Sequence, residues 1–98
     1  MKTVERGAAL LDERKPGWDR KVDLEKLDLY SPCNCVLGQV YGDRLSHYDG
    51  YGYNRGLRLL ELHYQGSKLH GFTAMPNGYH GNLTAAWRRL IEKRRGAG

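Results

Sequence analysis

The sequence predicts a small single domain, residues 1–98, that is mainly α-helical. Ninety-eight residues are enough for one hydrophobic core and too few for two independent domains. Apolar residues recur at helical spacing near both ends of the chain, whereas the middle is rich in glycine and tyrosine. We therefore expect three to four helices and a long Gly/Tyr loop over 42–56, with room for a short β-hairpin near 62–75.

The first helix is expected over about 4–14. Thr3 is a suitable N-cap because its hydroxyl can accept from a backbone N–H of the first turn. One helical face carries apolar residues at spacings of four and three, namely Val4, Ala8 and Leu11. Pro16 and Gly17 end this pattern, and the Trp18 ring is expected to fold back over the helix end.

A second, shorter helix is expected to end near Gly42. Pro32 is tolerated only at a helix start, with Ser31 or Asn34 as the cap. The apolar residues that follow have the i, i+1, i+4, i+5 spacing of one helical face: Val36, Leu37, Val40 and Tyr41. Gly38 on the flank of this face suggests close approach by another backbone.

Two further helices are expected in the second half. Asn54 can cap the segment RGLRLLELHY, although the alternation of its apolar residues also fits a strand. Asn82 can cap LTAAWRRLIEKRR, in which one stripe is apolar: Leu83, Trp87, Leu90 and Ile91. The expected core consists of Trp18, Trp87, Leu11, Val36, Leu37, Val40, Leu60, Leu90 and Ile91.

Charge is unevenly distributed along the chain. Residues 1–49 hold eight Lys/Arg and nine Asp/Glu, whereas residues 50–98 hold eight against two. Five basic residues cluster in the last predicted helix and form its basic face: Arg88, Arg89, Lys93, Arg94 and Arg95. Such a local positive field can attract phosphate or an acidic protein.

The two cysteines, Cys33 and Cys35, are separated by one residue. This spacing rarely allows an intramolecular disulfide. Zinc would need two more ligands, and the histidines show no tight second-pair spacing; they are His47, His63, His70 and His80. We expect Cys35 to enter the core and Cys33 to lie at the helix start, where it is the cysteine to test for reactivity.

No catalytic signature is found in the sequence. It contains no nucleophile elbow, no catalytic cysteine motif, no dinucleotide fingerprint and no Walker lysine. No apolar run approaches the roughly 20 residues that cross a bilayer, and the N-terminus lacks the apolar stretch of a signal peptide. We therefore expect a cytoplasmic protein that is not an enzyme and has no membrane partner.

The Gly/Tyr loop is the first candidate for binding. It combines aromatic rings with cations: Tyr48, Tyr51 and Tyr53 with Arg44 and Arg55. Single-stranded nucleic acid and protein partners both use this mixture. Asp43 and Asp49 lie in the same loop and would repel phosphate, so the composition favours a protein partner.

Five segments follow one another along most of the chain: RGAALLDERKPGW, VDLEKLDL, CNCVLGQVYGD, HGFTA and LTAAWRRLI. In this order they resemble a family of small hypothetical proteins of actinobacteriophages and prophages. The positions that match the family's pattern include Gly38, Gln39, Tyr41, Gly42 and Trp87. The resemblance implies an early or accessory protein made in an infected cell or prophage host, and it implies no reaction.

Taken together, these patterns predict a small non-enzymatic accessory protein of phage type. It would bind a host or phage macromolecule, in the first place a protein, in the cytoplasm of the host cell and without a cofactor. Two alternatives stay open. One is a nucleic-acid-binding protein that uses the basic C-terminal helix, and the other is a small zinc-stabilised domain held by Cys33 and Cys35. The oligomeric state is left open.

Overall fold

In the computed structural model, the described residues are 2–31, 33–42, 51–74, 78 and 80–97. Six helices lie within these ranges: α1 Lys2–Arg14, α2 Trp18–Lys21, α3 Val36–Tyr41, α4 Tyr51–Leu59, α5 Tyr64–Leu69 and α6 His80–Ala97. The prediction of a small, mainly helical protein is confirmed. The expected number of three to four helices is wrong, because the short helices α2 and α5 lie in segments where no helix was predicted.

The hairpin expected near 62–75 is also wrong for the described part of that range. No strand occurs within the described residues, and α5 takes up the centre of the segment. The chain reverses at Gly71, whose φ of 72° lies in the left-handed region that glycine adopts without strain. The Gly71 and Phe72 N–H groups donate back to the Lys68 and Ser67 carbonyls, which is the Schellman pattern that ends a helix.

The break between α4 and α5 has the same hydrogen bonds. The Glu61 N–H donates to the Arg58 carbonyl and the Leu62 N–H donates to the Leu57 carbonyl. Glu61 takes the left-handed position, with φ of 58°, although it is not glycine. The expected helix over RGLRLLELHY is therefore shorter than its apolar pattern, and the alternative of a strand is wrong.

The Gly/Tyr loop expected over 42–56 is wrong for its second half, where α4 begins at Tyr51. Residues 43–50 of that prediction lie outside the described residues. Gly52 is buried against α3: a Cβ atom there would lie 2.6 Å from the Gly38 carbonyl oxygen and 3.0 Å from the Gly42 Cα. The two helix backbones can meet only because glycine stands on both sides, which confirms the expected close approach at Gly38.

The helix starts differ from the predictions in detail. α1 begins one residue before Thr3 and α6 begins at His80, so Thr3 and Asn82 lie inside helices and not at caps. The N-cap of α3 is Cys35, whose Sγ accepts from the Gly38 N–H at 3.2 Å. Ser31 and Asn34, the expected caps, belong to the preceding turn.

The core is built around a series of aromatic rings. The Trp87 indole is stacked with Phe72 and meets Trp18 edge to face, each with ring centroids 5.6 Å apart. The Trp87 Nε1–H donates to the Gly71 carbonyl at 2.6 Å, so the buried indole is fully satisfied. Every residue of the expected core is buried except Leu90, which is only half-buried, and Phe72 is a core residue that the prediction missed.

Helices α1 and α6 lie side by side across this core. Gly7 of α1 packs directly against the Trp87 ring, and further along, Asp12 of α1 pairs with Arg94 of α6. The order of these two contacts shows that the helices run in the same general direction. This pairing positions a groove between α1 and α6.

Candidate binding groove between α1 and α6

The basic face of α6 is divided between two roles. Arg94 donates from both terminal nitrogens to the two carboxylate oxygens of Asp12, each at 2.7 Å, and lies 3.5 Å from an Asp19 oxygen. Its guanidinium also lies over the Trp18 ring, 5.5 Å from the centroid. Arg94 therefore ties the end of α6 to α1 and α2.

Two more arginines of this face are held by backbone carbonyls. Arg95 donates to the Asp19 and Val22 carbonyls at the end of α2. Arg88 donates to the Leu27 carbonyl at 3.4 Å. Three of the five predicted binding cations thus contribute to the fold.

The two remaining cations have a different environment. Arg89 and Lys93 are exposed, and neither makes a hydrogen bond or an ion pair with another residue in the described part of the chain. They are four residues apart in α6, so they project from the same side of the helix. Their charges are available to a partner.

A groove of about 300 Å³ lies between α1 and α6 beside these cations. Its lining consists of Val4, Glu5, Ala86, Arg89, Leu90, Lys93 and Arg94. Val4 is buried beneath it, while Ala86 and Leu90 are half-buried and form the apolar floor. Glu5 is the acidic group of the lining and lies on α1, across from the cations of α6.

The Asp12 and Arg94 pair fixes the charge at one end of this groove. Hydrogen bonding to the Arg94 guanidinium lowers the pKa of the Asp12 carboxyl from its usual 3.8. The same contact raises the pKa of Arg94. The Asp12 carboxylate also accepts from the buried Trp18 indole at 2.9 Å. Arg94 is therefore neutralised within the fold, and the unpaired positive charge of the groove belongs to Arg89 and Lys93.

Of the candidate residues in the Gly/Tyr segment, Tyr53 and Arg55 have side chains within the described part of the chain. Arg44 and Tyr48 lie outside the described residues, as does the side chain of Tyr51. The Tyr53 hydroxyl lies 2.7 Å from Ser67 Oγ, so this ring packs inward between α4 and α5. Arg55 is exposed and donates to the Tyr41 carbonyl at 3.3 Å.

The expected burial of Cys35 in the core is confirmed, whereas the expected position of Cys33 at the helix start is wrong, because the N-cap of α3 is Cys35. Cys35 is 2% exposed, and burial raises its thiol pKa to about 11. A thiol at the N-cap of α3 in this environment is a structural group and not a nucleophile. Cys33 is half-buried in the turn before it.

Two of the histidines, His70 and His80, have local structural partners. His70 Nδ1 lies 2.7 Å from the Gly66 carbonyl oxygen, and His80 Nε2 accepts from the Ala74 N–H at 3.2 Å. His63 is the exposed N-cap residue of α5, and His47 lies outside the described residues. Within the described ranges, no three His, Cys, Asp or Glu side chains converge on a common point that could hold a metal ion.

Comparisons of the chain with protein-family models, with curated proteins and with solved structures gave no match. The resemblance to actinobacteriophage proteins therefore stays a prediction. Of the helices in the described part of the chain, none has the length and apolar character needed to cross a membrane.

The groove itself was not predicted, although its cations were. Leu90 was expected in the core, because it follows Trp87 at a helical spacing. Its half-buried position on the groove floor depends on how α1 crosses α6, which the spacing along one helix does not show.

Proposed function

We propose that this chain is a small non-enzymatic accessory protein that binds another protein through the groove between α1 and α6. The observation that supports this function is an apolar floor, Ala86 and Leu90, beside two cations without partners among the described residues, Arg89 and Lys93. Protein interfaces combine apolar contacts with charged rims in this way. The resemblance to phage proteins favours a partner from the phage or its host, met in the host cytoplasm.

The dimensions of the groove favour a protein over a small molecule. Its volume of about 300 Å³ lies at the lower end of small-molecule sites, and the groove is partly open to solvent. Small-molecule sites also present a few buried polar groups toward the ligand. Among the described residues, no buried side-chain nitrogen or oxygen lacks a hydrogen-bond partner, so no such group waits for a ligand.

The alternative of nucleic-acid binding through the basic helix stays a prediction. It is weakened because Arg88, Arg94 and Arg95 already donate within the molecule. An apolar floor also contributes little to binding a phosphate backbone. The zinc-stabilised alternative is weakened because, within the described ranges, Cys33 and Cys35 are not joined by further side chains that could complete a metal site.

Site-specific photo-crosslinking tests the proposed function. A photoreactive amino acid replaces Arg89 on the groove rim or, as the control, the exposed Asn54 on α4, which does not line the groove. In lysate of an actinobacterial host, with and without phage infection, the probe at position 89 is expected to join one protein that position 54 does not join. Identical patterns at both positions, or crosslinks that disappear on nuclease treatment, would count against the proposal.

A further inference from the structure

We infer that the groove binds an acidic amphipathic helix of the partner protein. This inference rests on the proposed function and adds to it the chemistry of the bound segment. Two properties of the groove lead to it: the spacing of its apolar floor and the sign of its unpaired charge.

The floor suits the side of a helix. Ala86 and Leu90 are four residues apart, so the apolar floor follows one face of α6 over about 6 Å, given a rise of 1.5 Å per residue. Apolar residues at i and i+4 of a partner helix lie within that length. A groove of about 300 Å³ can take such a pair of anchoring side chains, whereas a whole helix would rest above it.

The charge selects an acidic helix. Arg89 and Lys93 border the floor on the α6 side and lack partners in the described part of the chain, so carboxylates of the bound helix can pair with both. Glu5 lies across the groove on α1 and would repel an acidic residue there. A helix that fits the groove therefore has an apolar stripe that faces the floor. Its carboxylates lie beside this stripe, on the side of α6.

Binding of designed peptides to the full chain tests this inference. The probe is a fluorescent peptide of about 16 residues, built from Glu, Ala and Leu, with Leu at i and i+4 and Glu beside this stripe. One control peptide has the same composition with the stripe scrambled, and another has Lys in place of Glu. A short single-stranded DNA is tested as a further probe in the same assay. Fluorescence anisotropy measures affinity, and NMR shift changes identify the contacted residues.

We expect the striped acidic peptide to bind at least tenfold more tightly than either control peptide, with shift changes at Ala86 and Leu90. The double variant Arg89→Gln and Lys93→Gln should weaken its binding about tenfold, as two partly screened ion pairs are lost. The control variant Lys26→Gln and Lys68→Gln removes the same charge from exposed positions away from the groove and should change affinity less than twofold.

A second pair of variants tests the floor. Ala86→Glu places a carboxylate on the floor and should abolish measurable binding of the acidic peptide, whereas Asn54→Glu, at an exposed position of α4 that does not line the groove, should not. If Ala86→Glu does not fold, as judged by circular dichroism, the surface double variant still decides the result.

The outcomes separate this inference from the proposed function. If no acidic peptide binds, or the scrambled peptide binds equally, while the crosslink from position 89 to one protein persists, the acidic helix is wrong and protein binding stands. Loss of peptide binding together with loss of the crosslink would overturn both the acidic helix and the proposed protein binding. Binding of the DNA that Arg89→Gln and Lys93→Gln abolish would replace both with nucleic-acid recognition. Concentration-dependent self-association that blocks the groove would assign it to a second copy of the chain.

Discussion

Two helix pairs, α3 with α4 and α1 with α6, are joined in opposite ways. Between α3 and α4, glycines on both helices let the backbones touch, and Gly52 lies directly on Gly38. Between α1 and α6, the contacts are made by side chains at two points, Trp87 on Gly7 and Arg94 on Asp12. We call α3 and α4 the closed pair, because no space is left between these helices. We call α1 and α6 the open pair, because the groove lies beside them.

The difference indicates which part of the molecule is structural and which is available for binding. The segment CVLGQVYG, on which the predicted family resemblance partly rests, is used internally. Gln39 accepts from the Asp23 N–H at 2.6 Å and donates to the Asp23 and Asn34 carbonyls, so it holds the preceding turn against α3. A recognisable sequence motif can therefore reflect close packing of helices and not a binding site.

The largest expected effect concerns the closed pair. Gly52→Ala would place a Cβ 2.6 Å from the Gly38 carbonyl oxygen, so α3 and α4 would have to separate. We expect the free energy of unfolding to fall by about 3 kcal/mol, as for other overpacked interiors. Urea unfolding measures it. The matched control is Gly96→Ala in α6, where no atom lies within 4 Å of the new Cβ; it should be neutral or slightly stabilising. Equal effects of the two substitutions would contradict close packing.

The closed pair should also protect a thiol. Burial raises the pKa of Cys35 from 9.0 to about 11, so at pH 8 its thiolate fraction falls about a hundredfold. We expect alkylation of native Cys35 by iodoacetamide to be at least about a hundredfold slower than in urea-unfolded chain, with peptide mass spectrometry assigning each site. Half-buried Cys33 serves as the internal comparison. Alkylation of both cysteines in the native chain at the unfolded rate would show that α3 is not sealed.

At the open pair, the contact between Asp12 and Arg94 is the next target. Asp12→Asn removes the ion pair but keeps an oxygen to accept from the Trp18 indole, whereas Asp12→Ala removes both. The ion pair is partly exposed, so its loss should cost only about 1 kcal/mol. The unpaired indole should bring the cost of Asp12→Ala to about 2 kcal/mol. Equal destabilisation by the two variants would show that the indole contact contributes nothing.

The same ion pair predicts a pH dependence. The pKa of Asp12 is lower in the folded chain than its ordinary 3.8, because Arg94 hydrogen-bonds the carboxylate. A lowered folded-state pKa contributes stability that is present above about pH 4 and is lost as the pH falls through the folded value. The difference in unfolding free energy between wild type and Asp12→Asn should therefore shrink below about pH 4. A difference that stays constant from pH 7 to pH 3 would contradict this.

Much of the open pair could be predicted from sequence, and much of the closed pair could not. The stripe of α6 is long and periodic, so the positions of Trp87 and Ile91 in the core follow from spacing alone. In α4, glycine costs helical propensity of about 1 kcal/mol per residue, so Gly52 and Gly56 suggest a loop. Tertiary contact with α3 overrides that local preference, and no pattern within the segment shows the contact.

The roles of the α6 cations illustrate the same limit. Their number and sign are visible in the sequence, but Arg94 pairs with a residue 82 positions away and Arg95 with one 76 positions away. Phe72 was missed for a related reason. It follows the turn at Gly71 outside any helix, so it has no periodic neighbours that would mark it as buried.

The smallest expected change in stability separates the two kinds of cation. Arg89→Gln with Lys93→Gln should alter the free energy of unfolding by no more than about 0.5 kcal/mol, because neither side chain has a partner among the described residues. Arg94→Gln should cost about 1 kcal/mol, because it leaves Asp12 without its cation. Urea unfolding at matched ionic strength measures both. A cost for the double variant as large as that for Arg94→Gln would mean that Arg89 and Lys93 also hold the fold, and the groove would then lose the unpaired charge that distinguishes it from the closed side of the molecule.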